Sequence, residues 1–376
     1  EVIYVRVRTM SFGTNLKELR KKYGYTRGEF AEIIAFSEKA VEKWEYGNSL
    51  PSMETVCKIA EFFGVTIDSL VYNPKPDIKY LLGIDGGGTK TEFLLTDMDK
   101  KEISRVILGT TNPVDIGIDN AKKILELGIH KCCSGINLRE ISVFAGLSGG
   151  STGDNKRLIY EFLSGFNFGA CSNGSDTENV LEMALGGSDG VVVIMGTGII
   201  SFAQVEGRRY RIGGWGYHID KGGSGYNIAS DAMYSALKFA DGRNGSSVLK
   251  ELIEQKLGKT LSDSISDIYE KGKAYIASFA PLVFDACDRG DEPARAIIDA
   301  NVKETAEIIE AALEHLPGGS GKVVICGGLC KRSDILELFF KKYLSPNVKV
   351  IFSNEAVVNG ALMLADKFKN GGNDNA

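Results

Sequence analysis

Hydrophobic and polar residues follow two different patterns in this chain, and the pattern changes near residue 72. Before it, apolar residues recur every three or four positions in short segments such as LKELRKKY and METVCKIAEFF, which predicts amphipathic helices. After it, short apolar runs such as YLLGI, EFLL, VVVIM and VVIC are bounded by glycine-rich turns, which predicts buried strands. We therefore expect an all-α domain followed by a body in which strands and helices alternate.

The segment YNPKPD at 72–77 marks the boundary between these parts. Its two prolines stop a helix and predict a short, stiff linker. We predict a helical domain at 10–72, a linker at 73–79, and two lobes of the body at 80–189 and 190–369. Residues 1–9 are predicted to be an extension before a start at Met10, and the polar residues 370–376 a flexible tail.

The composition favours a reduced, cytoplasmic protein. A net charge of −5 over 376 residues excludes a strongly basic protein that coats nucleic acid along its whole length. The seven cysteines are odd in number and form no CxxC pair, so we interpret most of them as small buried hydrophobic residues. No apolar run approaches the roughly 18 residues of a membrane span, and no membrane association is expected.

Cap-forming residues divide the helical domain into five short helices with a tight turn between the second and the third. Thr26 is followed three residues later by Glu29, which is a capping-box pattern. The predicted helix starts are, in chain order, Thr14 or Asn15, Thr26, Ser37, Pro51-Ser52 and Thr66. This arrangement predicts a helix-turn-helix bundle.

The segments LKELRKKYGYTRGEFAE, WEYGNSLPSMETVCKIAEFFGV and IDSL resemble the Cro/repressor (XRE-like) DNA-binding family over about 60 residues. The resemblance implies that the third helix enters the major groove of double-stranded DNA. It places base-reading side chains at Glu38, Lys39, Val41 and Lys43, and phosphate contacts at Arg20, Lys21, Lys22 and Arg27.

The helical part carries as many acidic as basic residues, ten of each in residues 1–73. One copy should therefore bind DNA weakly, and we expect a homodimer on a palindromic site. A role in protein interaction, or a vestigial one, is the alternative.

Glycine-rich turns are the second chemical feature, since only five of the 45 glycines precede residue 72. Residues 80–97 (YLLGIDGGGTKTEFLLTD) and 190–204 (GVVVIMGTGIISFAQ) both read as strand, glycine turn, strand. Rossmann and Walker loops lead into a helix instead. Backbone N–H groups in such turns can surround phosphate oxygens, and Asp85 can hold Mg²⁺ through water. A third site, VVICGGLCKRSDIL at 323–336, reads as strand, Gly-Gly, helix and suits an adenosine pocket.

From about Tyr80 to Phe368 the chain resembles the BadF/BadG ATPase and N-acetylglucosamine kinase family of the actin/hexokinase/Hsp70-like superfamily. The motifs are GIDGGGTKTEFLLTD, TTNPVDIG, FAGLSGG, SDTENVLEMAL, VVVIMGTG, RIGGWGYHIDKGGSGYNIA, ICGGL and NEAVVNGALMLA. The resemblance implies a two-lobed α/β actin-like (ribonuclease H-like) fold, with ATP and Mg²⁺ bound in the cleft and an amino sugar as substrate.

Site residues follow from the same motifs. The resemblance places the phosphates and Mg²⁺ at Asp85, Gly87, Gly88, Thr89 and Lys90, the second phosphate loop at Thr197 and Gly198, and adenosine at Gly327 and Gly328. It places the sugar near Asn112, Ser148, Gly149, Asp176 and Asp220. Asp176 matches the general base of the sugar kinases; a helix N-cap is its alternative role.

The chain departs from the family on the substrate side. Where the family has Gly-Asp-Glu-Gly-Ser-Gly, residues 220–225 read DKGGSG, and Ile199 stands where the serine of GTGS is common.

An amino-sugar kinase fused to a DNA-binding domain is the leading hypothesis for the function. A regulator that only senses sugar or nucleotide is the alternative. An iron–sulphur activator ATPase using Cys132, Cys133 and Cys171 is a third reading. His218 and Trp215 are interpreted as rim and packing residues.

Overall fold

The computed structural model describes residues 12–71 and 76–369. The predicted extension at 1–9, the tail at 370–376 and part of the linker lie outside the described residues. Within the described ranges, no helix has both the length and the apolar character needed to cross a membrane.

Residues 12–71 form five helices around one apolar cluster. They are α1 (Phe12–Lys22), α2 (Arg27–Ile33), α3 (Glu38–Glu45), α4 (Met53–Phe63) and α5 (Ile67–Val71). Thr26 caps α2 in a capping box with Glu29, and Ser37 and Ser52 cap α3 and α4 as expected. The predicted first cap is wrong, because α1 begins at Phe12. Asn15 is buried, and its amide donates to the carbonyls of Ser69 and Leu70, which ties α1 to α5.

The first sheet of the body has the strand order β3-β2-β1-β4-β5. Its strands are β1 (Tyr80–Gly86), β2 (Lys90–Asp97), β3 (Glu102–Gly109), β4 (Ile141–Leu147) and β5 (Ala170–Gly174). The β1–β2 and β2–β3 pairs are antiparallel, whereas β1–β4 and β4–β5 are parallel. The carboxyl ends of β1 and β4 therefore lie side by side.

The second sheet repeats this topology as β8-β7-β6-β9-β10. Its strands are β6 (Gly190–Met195), β7 (Ile199–Val205), β8 (Arg208–Ile212), β9 (Lys322–Cys326) and β10 (Lys349–Ser353). The antiparallel and parallel pairs fall in the same places as in the first sheet. This duplication confirms the predicted two-lobed actin-like fold, and both expected strand–turn–strand loops are present.

Helices cover both sheets. Those of the first lobe are α6 (Pro113–Ile116), α7 (Ile118–Cys132) and α8 (Asn155–Ser164). Those of the second are α10 (Gly225–Ala240), α11 (Ser247–Leu257), α12 (Ile265–Ala277), α13 (Ala280–Asp288), α14 (Glu292–Leu313) and α15 (Ser333–Tyr343). The expected helical cover at 226–316 corresponds to α10–α14, whose apolar faces pack on β6, β7 and β9.

Two further helices join the lobes. Helix α9 (Asp176–Leu185) packs its apolar face on the second sheet, against Val192 and Val324. Helix α16 (Val358–Phe368) returns to the first sheet and packs on Leu81 and Phe144, as expected. Gly83 in β1 permits this contact, because a Cβ there would lie 2.9 Å from the backbone of Leu362.

Candidate functional site

The first glycine turn places Asp85 at the carboxyl end of β1. Asn179 in α9 is fully buried, and its Nδ2 donates to Asp85 Oδ1 at 2.8 Å and to the carbonyl of Gly146 at 3.1 Å. Burial raises the pKa of Asp85 to about 6; the Asn179 hydrogen bond opposes this shift, and the neighbouring Asp176 carboxyl adds to it. The site therefore concentrates negative charge where a cation would be stabilised.

Sequence reasoning missed Asn179, although it lies within the SDTENVLEMAL motif. Its neighbour Gly146 has no side chain, and a Cβ there would overlap the Asn179 amide. The two positions are 33 residues apart. Only the packing of α9 across β1 and β4 shows that the asparagine orients Asp85.

Asp176 is the first residue of α9, and the N-cap is Ser175, whose N–H donates to Glu178. The N-cap of α9 is therefore Ser175, and the alternative role of Asp176 as the N-cap is wrong. Its carboxyl accepts hydrogen bonds from the Thr177 N–H at 2.9 Å and from the Ser148 hydroxyl. Burial is the largest influence and raises the pKa of Asp176 despite these bonds, which makes the carboxylate a stronger base.

The predicted sugar-side residues of the first lobe come together around Asp85 and Asp176. The Ser148 N–H donates to the Gly86 carbonyl at 2.7 Å, which joins the ends of β4 and β1. Gly149 has φ of 68°, and a Cβ on it would overlap the Asn112 side chain. Asn112 caps α6 through the Val114 N–H.

Gly88, Thr89 and Lys90 lie at the exposed tip of the β1–β2 hairpin. The turn is closed by a bond from the Gly87 N–H to the Lys90 carbonyl at 2.9 Å. The Lys90 ammonium is 3.6 Å from Glu92. The tip of the hairpin therefore exposes its backbone and the Thr89 side chain to solvent.

The second loop holds Thr197 and Gly198 between β6 and β7, and it is tied to the start of α10. The Gly225 N–H donates to the Gly196 carbonyl at 2.8 Å, and the Tyr226 N–H to the Thr197 carbonyl at 3.3 Å. The small cavity beside it is lined in part by Gly198, Asp220, Asn227 and Lys273. Asp220 Oδ2 accepts the Trp215 N–H at 2.8 Å, so this carboxylate fixes its own turn.

The two departures from the family pattern lie against each other. A Cβ on Gly222 would come within 2.5 Å of Ile199 Cγ2 and 2.7 Å of Ile308 Cδ1. Gly223 has φ of 84°, and a Cβ there would overlap the backbone of Asn301. Isoleucine side chains therefore occupy the space into which a side chain at position 222 would extend.

The expectation that Trp215 packs within its turn is wrong. Its side chain is 62% exposed because the ring lies on the outside of the turn, under the Arg211 guanidinium at 4.4 Å. The neighbouring His218 is also exposed, as expected for a rim residue.

Gly327 and Gly328 directly follow β9, in agreement with the strand, Gly-Gly, helix pattern predicted at 323–336. Gly327 has φ of 109°, and a Cβ on it would lie 2.5 Å from the Met195 carbonyl oxygen. A 3₁₀ turn at Gly328–Arg332, absent from the sequence prediction, precedes α15. Nothing lies within 4 Å of a Cβ built on Gly328, so one face of this turn is open.

The helix-turn-helix module exposes Glu38, Lys39 and Lys43 on α3. Two assignments from the resemblance are wrong. Val41 is fully buried and faces the core. Arg20 is 7% exposed and pairs with Glu45 at 2.5 Å, so it stabilises the bundle rather than contacting phosphate.

Arg27 also binds Glu45, at 2.7 Å, and lies over the Tyr46 ring at 5.1 Å. Burial alone would raise the pKa of Glu45, but the hydrogen bonds from Arg20 and Arg27 outweigh it and lower the pKa. Glu42 and Tyr46, which the sequence prediction left out, are exposed beside Lys43.

The cysteines considered for an iron–sulphur activator are placed inside the first lobe. Cys132 and Cys133 are buried, and burial raises the pKa of Cys133 to about 12. Cys171 is partly buried beside Ser164. Buried neutral thiols of this kind pack against the core and are poorly placed to share a cluster between subunits.

Comparison with known proteins agrees with this architecture. Residues 82–365 match the BadF/BadG/BcrA/BcrD ATPase family, and residues 16–70 match a helix-turn-helix family. The chain is 31% identical to the N-acetylmuramic acid/N-acetylglucosamine kinase of Clostridium acetobutylicum, over 77% of this chain and 98% of that protein. It is 29% identical to the N-acetyl-D-glucosamine kinase of Dictyostelium discoideum, over 76% and 97%.

A solved structure extends the likeness to the whole chain at the level of fold. The ROK family transcriptional regulator homologous to the E. coli MLC protein superposes with a TM-score of 0.53 at 11% identity, over 96% of both chains. The duplicated sheets, the glycine turns and the sequence matches lead to one conclusion: this chain belongs to the BadF/BadG/BcrA/BcrD ATPase family and carries an N-terminal helix-turn-helix domain.

Proposed function

We propose that the body is an ATP-dependent kinase for N-acetylglucosamine or a related amino sugar, and that the N-terminal domain binds double-stranded DNA as a transcription regulator. The observation that carries the kinase proposal is the position of Asp176. Its carboxyl is half-buried, bonded to Ser148, and close enough to Asp85 to raise the pKa of that residue. Relatives named for N-acetylglucosamine kinase activity, and similar over nearly their full length, support the substrate class.

Asp176 acts as the general base in this proposal. Its carboxylate accepts the proton of a sugar hydroxyl while that oxygen attacks the γ-phosphorus of ATP, and the bond to the bridging oxygen of ADP breaks. Ser148 orients the carboxylate by its hydrogen bond. The products are a sugar phosphate and ADP, and the proton stays on Asp176 until it passes to solvent.

The first hairpin holds the triphosphate through the backbone of Gly87 and Gly88 and the side chains of Thr89 and Lys90. Asp85 is the metal ligand, since its oxygen atoms and the charge shared with Asp176 suit a hard divalent cation. Mg²⁺, when bound there, neutralises the developing phosphate charge. In the second lobe Thr197 and Gly198 hold phosphate, and Gly327 and Gly328 border the adenosine.

The sugar lies against Asn112, Ser148 and Gly149 in this proposal, with Asp220 reaching it from the second lobe. Glu38, Lys39 and Lys43 face the major groove, and Arg27 adjoins the backbone phosphates. A homodimer would supply two such modules to a palindromic site. We propose that closure of the cleft changes their spacing.

A second candidate function is a regulator that senses sugar or nucleotide without turnover. One observation favours it: Ile199 and Ile308 occupy the space beside Gly222, where the family keeps an acid. A sensor has no use for a general base, so the two functions differ in their dependence on Asp176.

The test is an ADP-release assay across N-acetylglucosamine, N-acetylmannosamine, glucosamine and glucose, with Asp176→Asn compared to the wild type. Asp154→Asn is the matched control, because that side chain is 79% exposed at the start of α8. A kinase should lose about 10²–10⁴-fold in kcat in Asp176→Asn and keep its affinity for ATP. No turnover by the wild type with any sugar, together with retained nucleotide binding, would establish the sensor instead.

A further inference from the structure

Helix α12 is broken next to the second phosphate loop. Gly272 has φ of 68° and ψ of −158°, a backbone conformation that essentially only glycine adopts. The residue after the break is Lys273, which lines the small cavity beside Gly198. The break therefore changes the direction of the helix at the residue that reaches the loop.

The Lys273 ammonium lies against the turn of the loop. A Cβ built on Gly198 would be 2.9 Å from Lys273 Nζ, so the ammonium would have to shift if position 198 carried a side chain. The Tyr217 ring flanks it, with Nζ 5.3 Å from the ring centroid.

Lys273 has no ion-pair partner within 4.0 Å among the residues that the structure describes. By contrast, Lys259, in the connection before this helix, is bound to Asp267 at 2.8 Å. The nearby Asp220 carboxylate accepts the Trp215 N–H. Lys273 is half-buried, and its ammonium is therefore available to pair with the anion of a bound ligand.

Part of the backbone around the loop is already hydrogen-bonded within the fold. The Gly196 N–H donates to the Gly198 carbonyl at 2.9 Å, and the first amides of α10 donate to the carbonyls of Gly196 and Thr197. A side chain can add to the attraction that the Thr197 and Gly198 amides offer an anion, and Lys273 is the cationic side chain among the described residues that line this cavity.

We propose that Lys273 is a nucleotide-binding residue whose ammonium holds a phosphate oxygen of the bound nucleotide at the second loop. This inference rests on the proposed nucleotide-binding function and deepens it. A lysine ammonium is a compact point charge that suits a phosphate oxygen. Its contribution should appear only with ligands that carry phosphates.

The experiment is calorimetric titration of the full chain with a non-hydrolysable ATP analogue, ADP and adenosine. Lys273→Met removes the charge and keeps most of the length, Lys273→Arg keeps the charge, and Lys271→Met is the matched control. Lys271 lies two residues earlier, exposed over the Tyr275 ring. Circular dichroism checks that each variant folds.

We expect Lys273→Met to lower the affinity for the ATP analogue and for ADP roughly tenfold to a hundredfold, which is the range for one hydrogen bond to a charged group. Adenosine affinity should change less than about twofold. Lys273→Arg should recover most of the loss, and Lys271→Met should match the wild type. The loss should shrink at high ionic strength.

Two results would overturn the proposal: unchanged ADP affinity in Lys273→Met, or an equal loss for adenosine, which would indicate packing against Tyr217. Wild-type protein that binds no nucleotide would overturn this proposal and the kinase together. Wild-type protein that binds nucleotide without phosphorylating any sugar, with a phosphate-dependent loss in Lys273→Met, would support Lys273 and refute the kinase alone.

Discussion

The free-energy cost of restoring the family acid at position 222 should depend on whether Ile199 is present. The perturbation is Gly222→Glu, alone and combined with Ile199→Ser, which together reinstate the glutamate and the serine of the family pattern. Gly222 is buried, and its Cβ would meet Ile199 Cγ2 at 2.5 Å. Ile199 is β-branched and 8% exposed, so it cannot rotate away at small cost.

The magnitude follows from the space available. Gly222→Glu alone overpacks the site and should destabilise the body by about 1–3 kcal/mol. Ile199→Ser alone removes buried methyl groups and should cost about 2–5 kcal/mol. In the double variant the glutamate stem fills the space that the isoleucine leaves, so the two costs should overlap by about 1–3 kcal/mol.

The assay is urea unfolding of the full-length single and double variants, followed by circular dichroism. Ile335→Ser is the matched control, since Ile335 has the same 8% exposure but lies in α15; its cost should add to that of Gly222→Glu. If the Ile199 pair is also additive within about 0.5 kcal/mol, the two departures are not coupled and our explanation of the glycine fails.

Two other predictions concern residues that orient charges. Glu45→Gln should destabilise the N-terminal domain by about 3–5 kcal/mol, because it leaves a buried arginine without its partner; denaturant unfolding followed by the fluorescence of Trp44 measures this. Because the pKa of Glu45 is lowered in the fold, its stabilisation is present above the ordinary value of 4.5 and is lost as the pH falls below it; a wild-type and Glu45→Gln difference that stays constant down to pH 3 would contradict this. Asn179→Ala removes the donor to Asp85 and should weaken Mg²⁺-dependent ATP binding more than metal-free binding; equal weakening of both would show that Asn179 only supports the fold.

Local chemistry made much of the fold predictable. The caps at Thr26, Ser37 and Ser52 depend on residues three positions away, so the sequence shows them directly. Both glycine hairpins were predictable for the same reason, because a short apolar strand on each side of a turn is a contiguous pattern. The first helix was predicted to start too late, because Asn15, which resembles a cap, instead bonds to α5 from inside the bundle.

The candidate site was only partly predictable. Asp85 and Asp176 stand in motifs, but the link between them depends on α9 crossing the ends of β1 and β4. The basic side chain of Arg20 suggests a phosphate contact when only the sequence is considered. In the structure its partner is Glu45, which lies 25 residues away in the core. The sign of a residue's charge is local information, whereas its partner is decided by packing.

The sequence alone determined the order of the elements, the domain types and the positions of the glycine turns, because periodicity, caps and turn residues act over a few positions. The tertiary structure decided what each polar side chain faces. It bound Asn179 to Asp85, filled the space beside Gly222 with isoleucine, and placed Lys273 against a loop 75 positions earlier. These contacts join distant parts of the chain, and burial then sets their strength, so only the folded molecule reveals them.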